Sequence, residues 1–545
     1  MMSIAYPLER SQREAVAKFL GTPGGDSGPS PAAFCSSREF VWTHDPSASW
    51  TGWSPSAANT RFQPADQAGL SPAQVHNLKV KWAFGFDRDI TAFAAPTVER
   101  GVLFVGSASG VIHAMNAKKG CLYWTFQADG PVRAAAVLAN NVASHSLLFG
   151  DQIGWFYSLD AQTGRLLWKR KIDQHEATRL TGSAVAQDGI VFVPAASWEE
   201  TRSGNVKYPC CTFRGSVTAL RVSDGSVVWK SYTVGKPKRT GVNRIGTPQF
   251  GPSGAGTWSA PTIDSKRGLL YVTTGDNYSQ PATTTSDAVL ALSLKTGQMV
   301  WSQQMTADDV FSGAACPDDN SPCGPDFDFG SSALLVSHQG HDLVIAGQKS
   351  GVVYALDPDA KGRILWQARV GKGGITGGIQ WGMAGDEDKV YAAVSDLVEL
   401  PASSEAETLG GKNFDPGQGG GLTALRLSDG SKDWFAASYP CSPPRPGCSP
   451  AQSAAVTAIP GVVFSGSLDG HIRAFSTDKG TLLWDFDTER EYHTINRVLA
   501  KGGSLDGAGP VIVDGMVYVN SGYPRFGGAA GNVLLAFGAD DSKEK

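Results

Sequence analysis

The chain has 545 residues, with 51 acidic and 47 basic side chains and a net charge of −4. So small a charge gives no reason to expect nucleic acid or an anionic membrane surface as a partner. Sixty-five Gly and thirty-one Pro against 18% charged residues predict many turns and few long helices, and no apolar run of eighteen residues is present to span a membrane.

The first twenty residues, MMSIAYPLERSQREAVAKFL, lack the basic start and apolar core of a signal peptide. Leu8 to Leu20 reads as one amphipathic helix, and Gly21 to Ala33 as a Gly/Pro/Ser linker. Residues 1–34 are therefore set apart from 35–540, with 541–545 as a tail. Cys316 and Cys323 bracket one short polar loop, and Cys441 and Cys448 bracket another. Both spacings predict disulfides and an oxidising compartment. Spacing alone assigns no partner to Cys35 or Cys121. The missing CxxC pairs and clustered His speak against zinc.

From about residue 80 onward one pattern recurs. A short β-rich run leads through a Gly turn to a second run ending in an A-L-D-type triplet, then x-x-G-x-x-x-W. HAMNAKKGCLYW ends at Trp124 and YSLDAQTGRLLW at Trp168. Further copies end at Trp229, Trp301, Trp366, Trp434 and Trp484. β-Branched and aromatic residues in alternation fit strands, and a repeat of this length is one supersecondary unit. Four strands per unit arranged radially make a propeller, whose blades bury faces that none could bury alone. The recurring Trp then packs between neighbouring blades. Seven full copies leave two fragments. GPVIVDGMVYVNSGY with GNVLLAF supplies three strands without a Trp, and LKVKWAFGF supplies a last strand with Trp82. Together they complete an eighth blade, so the fold class is an all-β, eight-bladed β-propeller closed by its N-terminal strand.

Eight such tryptophan blades resemble two groups: quinoprotein alcohol dehydrogenases, and non-catalytic scaffold propellers of outer-membrane assembly. The stretches YPCCTFRGSVTAL, GLLYVTTGDNYSQPATTTSDAVLAL and CGPDFDFGSSALL are similar to those of polyvinyl alcohol dehydrogenase-like quinoproteins. The resemblance covers roughly residues 35–540 and implies two cofactors, pyrroloquinoline quinone (PQQ) and Ca²⁺.

The residues fit those needs one by one. Cys210 and Cys211 are adjacent, and neighbouring Cα atoms lie ~3.8 Å apart, below the usual disulfide range, so a bond between them makes an unusual ring. Quinoproteins use such a ring to cover one face of the cofactor. In methanol dehydrogenases it follows an earlier blade than the third, where it falls here. Trp258, six residues before Asp264, has the spacing of the Trp that stacks on the quinone, and a flat ring favours an aromatic platform. Ca²⁺ needs six or more oxygens, carboxylates among them. The resemblance places Glu199 there, with Glu200 as its neighbour, and Asp276, with Asn277 as its neighbour. Asp for the family's Asn adds negative charge. PDFDFG offers Asp328 as the base, with Asp326 close behind. Arg133, Thr181 and Lys349 fall where the family holds the cofactor's carboxylates and ring oxygens, and a tricarboxylate needs such partners. Trp381 is a further pocket candidate, and Arg214 serves either the pocket or a blade.

The implied chemistry is oxidation of a secondary alcohol, polyvinyl alcohol included, to a ketone. Ca²⁺ polarises a quinone carbonyl and Asp328 takes the hydroxyl proton. No GxGxxG opens a helix after a strand, so a nicotinamide is not supported. No CxxCH is present for haem c, which makes a separate cytochrome c the expected acceptor and the periplasm the expected place. The N-terminal helix resembles the last helix of a cytochrome domain. The competing reading, a non-catalytic interaction scaffold, predicts no carboxylate cluster, no adjacent Cys pair and no Trp outside the repeat. The sequence has all three.

Overall fold

The computed structural model describes residue 15 and residues 28–40, 48–140, 145–316, 323–401, 413–444, 447–524 and 527–539. The expected helix from Leu8 to Leu20, apart from one residue, lies outside these, as do residues 402–412 of the Leu397–Gly421 loop.

Antiparallel sheets of four principal strands succeed one another along the chain. Blades 1 to 4 span 97–127, 137–171, 185–232 and 262–304; blades 5 to 7 span 334–369, 384–437 and 457–487. Blade 8 takes three strands from 511–539 and its fourth from Leu78–Gly85, with Leu78 opposite Ala539 and Gly85 opposite Val533. The two ends of the propeller thus share one sheet, which leaves the ring without a free blade edge. The eight-bladed, mostly β expectation is met.

The repeat is explained by how its Trp docks. In the outermost strand of every blade the register shifts by one residue beside the Trp. A bulge of this kind re-aims a side chain. The Trp stands opposite Ala in seven blades and Ser158 in blade 2, because only a small partner leaves room for the indole. The ring then crosses to the next blade. Trp124 donates its indole N–H to the Ala161 carbonyl (3.2 Å) and Trp168 to Val222 (2.8 Å). Trp366 donates to Leu427 (2.9 Å), and Trp82 closes the circle on Ala117 of blade 1 (3.1 Å). Each of seven rings covers the glycine of the next blade's last turn, for which φ lies between +66° and +75°. There the glycine is needed twice, for the positive φ and for the close approach. Trp484 differs: it packs edge-on against Phe537 of blade 8, 5.3 Å between centroids.

A second device, absent from the repeat, ties the blades at the axis. Residues 49–63 circle the innermost strands. Trp50 pairs with Val98 of blade 1, and the Leu138 N–H of blade 2 donates to Thr51 (3.2 Å). Ala57 packs beside Val185 of blade 3, while its carbonyl accepts from Ile263 of blade 4 (2.9 Å). Blades 5, 6 and 7 donate from Leu335, Gly385 and Ala458 to Ala58, Thr60 and Arg61, and Gln63 donates to Ile512 of blade 8 (3.0 Å). Arg61 anchors this clasp. It is fully buried, donates to the Val456 and Trp53 carbonyls and to Thr457 Oγ1, and stacks 4.6 Å from the Trp53 ring. Burial pushes its pKa down to about 9, which still leaves it charged at neutral pH.

Cys441 and Cys448 are bonded, as expected, and the structure pairs Cys35 with Cys121. The expectation for Cys316 and Cys323 is corrected: both are thiols, the first half-buried and the second exposed. Burial first, and then the neighbouring Cys323 sulfur, pushes the Cys316 thiol up to about 12. Spacing brought the sulfurs together without oxidising them.

The docking glycines have an internal control. Gly225 (φ +66°) would place a methyl 2.6 Å from the Trp168 ring, whereas Gly189 (φ +74°) has nothing within 4 Å. Gly189→Ala should cost only the left-handed strain, roughly 1–2 kcal/mol. Gly225→Ala should cost a further ~1–3 kcal/mol for overpacking. Denaturant unfolding of the two variants side by side checks this, and equal losses would mean that the indole yields.

Candidate active site

The segments that lead into the innermost strands converge on the propeller axis. There they line a cavity walled by Arg133, Thr181, Trp258, Gly330, Trp381 and Gly507 and floored by Trp53 of the clasp. Four sequence candidates from four different blades, Arg133, Thr181, Trp258 and Trp381, therefore share one space. The Trp258 and Trp381 rings meet edge to face at 5.4 Å. The Arg133 guanidinium lies 4.5 Å from the Trp381 ring centroid and 3.3 Å from the Tyr523 hydroxyl. Trp381 is fixed by its indole N–H, which donates to Asp506. Thr181 Oγ1 is buried with no hydrogen-bond partner among the described residues.

Beside the cavity lies a buried charge cluster. Asp276, Asp326 and Asp328 bring ligand oxygens within 4.8 Å of one another. Lys349 Nζ bonds both Asp326 (2.7 Å) and Asp328 (2.9 Å), and sits 5.5 Å from the Trp258 ring centroid. The chain positions these groups by backbone contacts. The Asp276 N–H donates to Asp328 Oδ1 (2.7 Å), and Asp309 accepts from the N–H groups of Asp326 (3.2 Å) and Phe327 (2.8 Å). Gly275 is required because a Cβ there would lie 2.4 Å from Asp328 Oδ1.

Electrostatics separates the carboxyls. Burial acts to raise Asp328, but the Lys349 ammonium and the hydrogen bonds from Lys349 and Asp276 outweigh it and hold the carboxyl below its usual range. Asp276 is pushed well up by burial and then by Asp328 and Glu200. Burial also raises Asp326, against the pull of Lys349. Lys349 itself is held above its ordinary value: burial would lower it, and Asp326 and Asp328 override that. The group that stays anionic is thus Asp328.

Glu199 and Asn277 are not brought into the cluster. Glu199 accepts from the N–H groups of Thr212 (2.8 Å) and Phe213 (2.7 Å) and from Tyr208 (3.1 Å), and lies 3.4 Å from His175. Burial acts to raise it, but His175 and these N–H groups keep it below its usual range. Its carboxylate buttresses the loop of the adjacent cysteines. The neighbouring Glu200 is the one whose charge acts on Asp276, Asp326 and Lys349. Asn277 spends its amide on Ser253 and Thr283. Cys210 and Cys211 are disulfide-bonded across a cis peptide and pack with Phe213 and Tyr278. They are buried and do not line the cavity as described. Arg214 braces a blade, with two bonds to the Val234 carbonyl and its guanidinium 3.6 Å from the Tyr232 ring centroid.

Sequence reasoning missed Asp287 and Asp309. Asp287 is buried, with neither carboxyl oxygen bonded among the described residues, and burial followed by Asp328 pushes it well up. Asp287 lies in the same family-like stretch as Asp276, and Asp309 outside the three stretches, and neither stands at a position that the likeness assigned to the site. The same holds for Trp53, Asp506 and Tyr523.

Buried carboxylates around one ammonium, beside an aromatic-walled cavity on a propeller axis, define a polar cofactor site rather than a simple scaffold. Residues 50–369 match the family model for the PQQ-binding β-propeller domain of glucose, ethanol and alcohol dehydrogenases. The chain is 40% identical to a polyvinylalcohol dehydrogenase of Pseudomonas sp, over 99% of its own length and 87% of the relative's. It is 37% identical to a polyvinylalcohol dehydrogenase of Sphingopyxis sp. (strain 113P3), over 90% and 76%. The protein belongs to the PQQ-dependent quinoprotein alcohol dehydrogenases, and oxidation of alcohols is its activity. Solved structures share the fold. A quinohemoprotein alcohol dehydrogenase, ADHIIG of Pseudomonas putida HK5, superposes with a TM-score of 0.67 at 18% identity, covering 91% of this chain and 81% of that one. A europium-containing methanol dehydrogenase gives 0.65 at 17%, covering 91% and 98%.

Removing one partner from a buried charge cluster leaves the others uncompensated, which costs about 3–5 kcal/mol. Lys349→Met should lose stability of that order in protein stripped of metal and quinone, read by urea unfolding. Adding Asp326→Asn should restore part of the loss. A double variant no better than the single one would show that the two groups do not share their charge.

Proposed function

We propose that the chain oxidises secondary alcohols, the hydroxyls of polyvinyl alcohol among them, with PQQ and Ca²⁺ in the axial site and a separate cytochrome c as acceptor. The observation that carries the reading is Asp328 bonded to Lys349 (2.9 Å) beside the Trp258 wall. The residues fit both groups. Thr181 Oγ1 and Asp276 Oδ2 are buried without partners among the described residues, so each has a bond to offer a polar ligand or ion. Asp276 and Asp326 would supply oxygens for the cation and Glu200 further negative charge, while Glu199 holds the disulfide loop in place. Arg133 and Thr181 would hold the quinone's carboxylates, with Trp258 as its platform and Lys349 against a ring oxygen.

When bound, the quinone would supply the acceptor for the carbinol hydrogen and its electron pair, so that a secondary alcohol is released as a ketone. The protein's share is to orient the alcohol and to receive the proton. Asp328 receives it, because it is ionised at rest and Lys349 steadies its charge. Trp258, Trp381 and the buried surround exclude water from that transfer. Three disulfides in the structure support an oxidising compartment, the periplasm.

The purified chain, loaded with PQQ and Ca²⁺, should reduce a dye when given a secondary alcohol or polyvinyl alcohol. Asp328→Asn should keep the bound quinone's absorbance and lose ~10²–10⁴-fold in turnover, the usual worth of a general base. Full turnover in that variant would move the base elsewhere, and a folded chain that takes up no quinone would sink the reading.

A further inference from the structure

The connection between blades 3 and 4 carries a hairpin that the fold does not need. Lys238–Val242 pairs with Pro248–Gly251, and the first of these strands is exposed along its whole length. Residues 233–263 hold Lys236, Lys238, Arg239 and Arg244 and no acid, in a chain whose net charge is −4. Lys207 joins them from the loop beneath, which is tied to the hairpin by the Asn243 amide and the Thr247 hydroxyl on the Val206 carbonyl (2.7 and 2.8 Å). These five cations are exposed and form no ion pair among the described residues. Between the cations stand Val206, Val242 and Ile245, 38%, 53% and 54% exposed. An apolar centre within a charged rim is the make-up of a transient protein interface.

The hairpin is built onto the site. Its second strand accepts from the disulfide loop, Cys211 N–H to the Phe250 carbonyl (3.1 Å), and returns a bond from the Phe250 N–H to Cys210 (2.7 Å). Four residues past Gly251, the Ala255 N–H donates to the Asp276 carbonyl (2.6 Å), and three residues further the chain reaches Trp258. The hairpin is therefore bonded to the disulfide loop and runs within seven residues of its last strand to a wall of the cavity.

We propose that this hairpin is the docking surface for the acidic face of a one-electron acceptor protein. The proposal rests on the dehydrogenase reading above. Each alcohol oxidised leaves two electrons at a buried site, and a one-electron acceptor at the cavity face collects them one at a time. Five unpaired cations around a small apolar centre draw in an acidic partner quickly and release it quickly.

The test uses the holoenzyme reduced by alcohol and mixed rapidly with an acidic c-type cytochrome, with a neutral quinone dye as second acceptor. The comparison is with the variant Lys236→Glu, Lys238→Glu, Arg239→Glu, Arg244→Glu. The wild-type rate constant for the cytochrome should fall steeply with salt. The variant should lose at least tenfold at low salt and gain with a basic cytochrome, while dye reduction stays within twofold. A variant that reduces the acidic cytochrome as fast as wild type, with dye turnover intact, overturns the docking surface and leaves the dehydrogenase standing. Failure of both proteins to reduce the dye overturns the dehydrogenase reading, and the docking surface with it.

Discussion

The structure depends on one contact repeated around the ring: an indole laid over a glycine of the next blade. Each contact needs three things at once, a bulge that turns the Trp, a small residue opposite it, and a glycine with positive φ beneath it. The contact fixes how far one blade leans on the next. That angle decides how many blades close the circle, and so how wide the space on the axis is. Even Trp301, whose indole N–H finds no acceptor among the described residues, covers its glycine. Packing, more than the hydrogen bond, is the common element.

The axis inherits the consequence. Eight strands cannot converge without small residues at their entries, and the entries read accordingly: FAAP, RAAA, TGSA, WSAP, GSSA. Where a large side chain does intrude, as Trp258 and Trp381 do, it walls the cavity rather than filling it. Charge is handled in the same spirit. Arg61, with backbone carbonyls around it, closes the floor. Asp276, Asp326, Asp328 and Lys349 sit one layer out, where the turns of blades 4 and 5 meet. The low dielectric that makes such a cluster costly without its partners also makes it strong when complete.

The ring was legible because its signal is local: Ala, Gly and Trp at fixed spacing within a dozen residues. Closure through Trp82 was legible for the same reason, as a Trp without its blade. The clasp was not. Residues 49–63 act through backbone carbonyls and one buried Arg, and such bonds leave no period. At the site, family likeness singled out Asp276, Asp326, Asp328 and Lys349, and folding brought them together from separate turns. The likeness singled out Glu199 for the cation, with Glu200 as its neighbour. These stand side by side on one helical turn, where neighbours point about 100° apart, so a single step in register separates the brace from the charge that faces the cluster. Asp287, at a positive φ just before a strand, and Asp309 are marked by their burial rather than by the repeat.

The shared eighth blade also sets an order in time. Its fourth strand, Leu78–Gly85, is synthesised before any blade exists, and its partner, Val533–Ala539, emerges only after the seven other blades. Through most of synthesis the early strand has an open edge and Trp82 has a place on Ala117 but no sheet behind it. The clasp likewise finds its blades one by one as they appear. Pairings of such sequence separation are slow to form, and the waiting edges invite association with other chains. The circle thus gives a native state with no loose end, reached only after a long interval in which the chain has two.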